Sequence, residues 1–126
     1  MLWEPHFDPS QAIARIRAFA PTHLNAEAQG GSPAMLLEAL AQACGLHARW
    51  RSQFLMHTRL VSMGNVCLRP ACGTRVIAQL CAETSHGAAY LVEADFLTAA
   101  ATVTLALVPA TAPQTLFQKR FQWLAS

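Results

Sequence analysis

The stretch "SPAMLLEALAQACG", residues 32–45, carries a single carboxylate, Glu38, inside a run of alanine, leucine and methionine. Ser32 suits a helix N-cap and Pro33 the first helical position, so a helix is expected to start here. At about 100° per residue, Glu38, Gln42, Gly45, Arg49 and Ser52 fall on one narrow stripe. Met35, Leu36, Leu37, Leu40, Ala43, Cys44, Leu46, Ala48 and Trp50 cover most of the remaining circumference. A helix apolar over so much of its surface is one that neighbours surround, unlike a surface helix with half its face in water. A carboxylate there is costly unless it is paired or has a task, so this stretch bears on both fold and site.

Working outward, "AIARIRAF" (residues 12–19) has the two-residue period of a half-buried strand, ended by Pro21. "THLNAEAQGGSP" (residues 22–33) reads as a loop because of its Gly-Gly and proline. After the helix the period becomes two and stays there. Leu60–Leu68, Arg75–Glu83, Ala88–Phe96 and Ala101–Val108 read as strands, with turns at Arg69–Gly73 and Ser85–Gly87. Tyr90, Val92, Ala94 and Phe96 are expected to face inward, with Glu93, Asp95, Thr102 and Thr104 outward. No helices alternate with these strands, which argues against a parallel sheet. An α+β fold follows, an antiparallel sheet curled round one apolar helix. In the tail, Phe117, Phe121 and Leu124 share one side of a short helix, read as a lid or dimer flank.

Composition narrows the class. The 126 residues suit one domain, 1–126. Hydrophobic residues at 53% exclude intrinsic disorder, and charged residues at 13% leave little charge to cover a monomer, which favours an oligomer. The net charge of +2 is spread without a basic run, so neither nucleic acid nor an anionic membrane is an expected partner. The richest apolar stretch, residues 88–110, is broken by Glu93, Asp95 and three threonines, unlike a membrane span. Cys44, Cys67, Cys72 and Cys81 form no CxxC pair and are most simply small core residues, and the amino terminus lacks a signal-peptide pattern. A cytoplasmic location is expected. His6, His47, His57 and His86 show no metal-ligand spacing, so no zinc site and no cofactor are expected. His47 lies opposite Glu38 on the helix and is not expected to join it.

The word P-x-x-x-L-E-A-L-A-Q-A-x-G, matched at Pro33, Leu37, Glu38, Ala39, Leu40, Ala41, Gln42, Ala43 and Gly45, resembles the hotdog-fold 3-hydroxyacyl-[acyl-carrier-protein] dehydratases. It is also similar to shorter dehydratase-like proteins of aryl-polyene, pigment and polyketide pathways. The resemblance spans roughly residues 10–108, with its specific part in the helix. It implies a homodimer, a higher oligomer or a heterodimer with a related hotdog subunit, and a substrate carried on acyl carrier protein or CoA. In that family a helix acid works with a histidine from a loop of the other subunit, within the word H-F-x-G-x-P-x-x-P-G. Glu38 falls at the acid's place. "HLNAEAQGGSPA" (residues 23–34) corresponds to the histidine word, with His23 one position off; alignment on the prolines brings Asn25 there instead.

Removing water from a 3-hydroxyacyl thioester needs a base, an acid for the departing hydroxyl, and donors for the thioester oxygen. The resemblance implies Glu38 as acid and His23 as base. Free N–H groups at the helix start, among Gly31, Ala34 and Met35, are candidate oxygen donors, and Gln42 a candidate substrate contact. Arg49, Arg51, Arg59 and Arg69 could form a basic entrance for an acidic carrier. Two alternatives stand beside the dehydratase: a thioesterase, in which the helix carboxylate needs no histidine, and a non-catalytic acyl-binding partner subunit of a dehydratase.

Overall fold

The computed structural model describes residues 12–29, 32–69, 74–95 and 98–126. Six strands and two helices follow in the order β1 (Ile13–Ala20), β2 (His23–Ala28), α1 (Pro33–Arg51), β3 (Met56–Leu68), β4 (Arg75–Glu83), β5 (Gly87–Ala94), β6 (Ala99–Pro109) and α2 (Thr115–Ala125). The strands form one antiparallel sheet in the order β1-β2-β4-β5-β6-β3. The α+β composition is consistent with a hotdog-like fold.

One expectation is overturned at β2. His23–Ala28 is a strand paired with β1 on one side and β4 on the other, not part of a loop. Its period-two signal was present: Leu24, Ala26 and Ala28 are buried, while His23, Asn25 and Glu27 alternate between them. The Gly-Gly and proline that suggested a loop punctuate only the few residues before α1.

Alternation also sets the buried face elsewhere. Val76 and Ala78, then Ala88, Tyr90, Val92 and Ala94, then Ala99, Ala101, Val103, Leu105 and Leu107, are all buried, and Thr102 and Thr104 point out. In β1 the rule bends. Register shifts between Ile13 and Arg15 and between Ile16 and Ala18 bring Ile13 and Ile16, three residues apart, into the core. The expected turn at residues 69–73 and the inward Phe96 involve positions outside the described residues.

Helix α1 begins as its sequence implies, with Ser32 Oγ accepting from Met35 N–H at 3.2 Å and Pro33 in the first turn. It touches all six strands. Ala39, Leu40, Ala43 and Cys44 are fully buried, and burying a side chain such as Leu40 contributes roughly 1.5–3 kcal/mol. Beyond the C-cap, Gln53 and Phe54 take left-handed backbone conformations that turn the chain into β3.

The cysteine expectation holds for Cys44 alone among the described residues. Cys67 and Cys81 are exposed free thiols, because β3 is an edge strand and the far end of β4 runs past the core. The sheet's two edges also differ. Helix α2 packs beside β1, where Phe121 meets Phe19 edge-on with ring centroids 5.1 Å apart. Strand β3, 13 residues long, leaves Leu60, Val61, Val66 and Leu68 exposed at the other edge.

Candidate active site

The polar stripe of α1 lines a cleft of about 390 Å³. Glu38, Gln42, Gly45 and Arg49 form one wall along the helix, with Ala41 and Leu46 between them. Thr58 and Leu60 of β3 and Leu105 of β6 stand opposite, and Phe117 and Arg120 of α2 complete the rim. Leu60 pairs with Leu105 across the sheet, so both present the same face to the helix. Gly45 lets the helix approach β3 closely: a Cβ there would lie 3.3 Å from Thr58 Oγ1, so the threonine side chain would have to shift, and 3.9 Å from Arg49 Nη1.

Glu38 is half-buried, and its Oε1 accepts from Gln42 Nε2 at 3.0 Å. The amide one turn on thereby orients the carboxyl while leaving its other oxygen for a ligand. At the far end of the stripe, Arg49 Nε donates to Gln114 Oε1 at 3.3 Å, and its guanidinium lies 4.1 Å over the Phe117 ring. Gln114 is itself anchored, its amide donating to the carbonyls of Phe54 and Met56. Burial pulls the Arg49 pKa down from its ordinary value. Ser52, the last position of the predicted stripe, instead closes the helix, donating to Arg49 O and accepting from Met56 N–H.

The other predicted residues are distributed more widely. Ala34 is exposed on the first turn of α1, and Met35 is buried toward the core. Met35 N–H is already taken by Ser32 Oγ and Leu36 N–H by Ser32 O, so the described N–H left for an oxyanion is that of Ala34. Gly31 lies outside the described residues. His23 opens β2 on the side that alternates with Leu24 and Ala26, its Nδ1 3.2 Å from Thr22 Oγ1. Strands β4, β5 and β6 separate β2 from β3, so one chain does not bring His23 into the cleft beside Glu38. Asn25, the other candidate for the histidine's place, points the same way as His23; its Oδ1 is sealed from solvent with no donor.

The four arginines grouped as an entrance also separate. Arg49 is in the cleft, whereas Arg51 pairs with Glu83, both nitrogens at 2.9 Å, and donates to Pro21 O. Arg59 and Arg69 are exposed on and just beyond β3. The tail helix reaches the cleft through Phe117 and Arg120, while Phe121 and Leu124, expected on the same side as Phe117, are buried in the core.

Sequence reasoning left one buried polar site without a role. His47 is fully buried, with Nε2 2.7 Å from Ala20 O and Nδ1 2.7 Å from Tyr90 Oη. A carbonyl only accepts, so Nε2 carries the proton and Tyr90 donates to Nδ1. Burial lowers the pKa of His47 and raises that of the Tyr90 hydroxyl, matching a neutral pair. This pair ties α1 to β5 and the end of β1. Among the described residues no three His, Cys, Asp or Glu side chains gather to hold a metal, and no helix is long and apolar enough to cross a membrane.

No family profile matches the chain, and no curated protein matches it. Among solved structures, a chain of the dehydratase heterocomplex ApeI:P from Xenorhabdus doucetiae is similar in fold, with a TM-score of 0.61 over 92% of this chain and 93% of that one, at 16% identity.

Proposed function

We propose that the protein acts on acyl thioesters as a 3-hydroxyacyl thioester dehydratase, in a dimer with a second hotdog subunit. The observation that carries this reading is the oriented Glu38 carboxyl at one end of an apolar cleft beside an open sheet edge. Leu46, Leu60 and Leu105 offer an acyl chain the contacts it needs. In the reaction a base takes the proton from the carbon next to the thioester carbonyl. The electron pair forms the new double bond, and the hydroxyl on the next carbon leaves as water with a proton from Glu38. Solvent then carries the base's proton back to Glu38. Ala34 N–H at the helix start is the described donor for charge building on the thioester oxygen.

The base belongs to the second chain in this reading, because His23 and Glu38 of one chain stand apart. The long apolar edge of β3 supports a partner, since an unpaired edge strand is a template for another strand. The partner is a second copy, supplying His23, or a related subunit; the similar solved structure is itself named as a heterocomplex. Acyl carrier protein and CoA are the proposed carriers.

A second reading rests on the same separation: with no histidine beside it among the described residues, Glu38 could activate water as a thioesterase carboxylate does. Purified protein incubated with a 3-hydroxyacyl thioester on carrier protein and on CoA, followed by mass spectrometry, decides between them. Loss of water that disappears in Glu38→Gln supports the dehydratase, and release of free acid the thioesterase. No reaction from the chain alone, with activity appearing on addition of a related subunit, identifies a partner subunit.

A further inference from the structure

We propose that the Arg49 end of the cleft is an anion subsite, and that the ligand seated along α1 carries a carboxylate or phosphate about 16 Å from the group that meets Glu38. Placing Glu38 at the reacting end rests on the dehydratase reading; the anion subsite itself rests on the cleft.

Glu38 and Arg49 lie three turns apart on nearly the same side of the helix, and both line one cavity. The space between them is lined by Ala41, Gly45, Leu46, Leu60 and Leu105, with Gln42 and Thr58 as its polar members, so a ligand body lying there meets mostly carbon. At the far end the chemistry changes sign. Arg49 is half-buried and has no carboxylate partner among the described residues, whose ion pairs are Arg17 with Glu27 and Arg51 with Glu83. One guanidinium N–H is bonded to Gln114, whose own amide is held by two backbone carbonyls, so the arginine is fixed in place rather than left to solvent. The Phe117 ring covers one face of the guanidinium, and Arg120, one turn further along α2, adds a second cation to the cleft lining.

Position near the C-terminal end of α1 explains a positive charge there. It does not explain a half-buried guanidinium held against an aromatic ring with no partner for its terminal nitrogens among the described residues. A planar fork held in that way is suited to a two-oxygen anion. The anion has two sources within one substrate class: the phosphate of a pantetheine arm, or a carboxylate at the far end of the acyl chain.

Binding of unreactive thioethers to the intact protein separates these sources. Alkyl-pantetheine is the uncharged parent; alkyl-4′-phosphopantetheine adds phosphate, and ω-carboxyalkyl-pantetheine adds a terminal carboxylate. The expected result is that one anionic ligand binds about tenfold or more tightly than the parent, with the preference falling as salt rises. Arg49→Gln should reduce that preference to about twofold or less while leaving affinity for the parent unchanged, and Arg49→Lys should keep part of it. Arg120→Gln, on a separate element, should weaken the same preference and keeps the test meaningful if Arg49→Gln fails to fold. Equal affinity for all three ligands, an equal loss for all three in Arg49→Gln, or no binding by any of them would overturn the proposal. Anion preference without turnover, by the chain alone and after addition of a related subunit, removes the dehydratase reading and leaves the subsite standing; turnover without anion preference does the reverse.

Discussion

Two sets of polar groups on the same helix are treated in opposite ways. His47 is sealed, and both its ring nitrogens are satisfied within the chain by Ala20 O and Tyr90 Oη. Glu38 and Arg49, on the cleft side, are each held by one glutamine and left with unused hydrogen-bonding capacity facing a cavity. Buried polar groups without partners are costly, so a set closed on itself serves the fold, and a set oriented but left open is placed for something that arrives. Asn25 is a third case, with an acceptor sealed and unsatisfied.

The contrast is tested most severely at Glu38. In the water-loss assay Glu38→Gln should lower turnover by about 10²–10⁴-fold, the usual range for removing a general acid, with thermal stability nearly unchanged. A large loss of stability there would place Glu38 with the structural set. The reverse is expected of His47→Ala, which leaves the Tyr90 hydroxyl and the Ala20 carbonyl without their partner. Denaturant unfolding should show a loss of roughly 2–4 kcal/mol.

Tyr90→Phe is milder, since it removes only the donor to Nδ1, and should cost about 1–3 kcal/mol by the same measurement. Acid should act on the same pair. The folded-state pKa of His47 lies below its ordinary value, so the unfolded chain binds this proton first, and stability falls as pH drops below about 6.5. Arg51 and His23 reinforce burial in this direction, while the Ala20 carbonyl and Glu83 oppose it. One proton limits the slope to about 1.4 kcal/mol per pH unit, and comparison with His47→Gln should isolate it. The smallest effect is expected at Asn25: Asn25→Val, in a paired strand and with an orphan acceptor removed, should be neutral or stabilising by up to about 1 kcal/mol.

Much of this arrangement is legible in the chain itself. Ser32 and Pro33 mark where α1 begins, and the spacing of Glu38, Gln42, Gly45 and Arg49 places them on one stripe, because helical geometry is local. Period two identified β4 to its ends and set the inward faces of Tyr90 and Val92. Strand β2 was obscured by neighbouring glycines and a proline, although Leu24, Ala26 and Ala28 carried its period.

Only the tertiary structure decided who meets whom. Sheet order placed β3 beside β6 and kept β2 on the other flank, separating His23 from the cleft, and no local pattern encodes strand order. The return of α2 set Phe117 against Arg49, and a distance of 43 residues in sequence was closed between His47 and Tyr90. Helical and strand periods say which face a side chain takes, because they arise from backbone geometry over a few residues. What stands opposite that face depends on how distant segments pack, and it separated two polar stations on one helix into a structural lock and an open cleft.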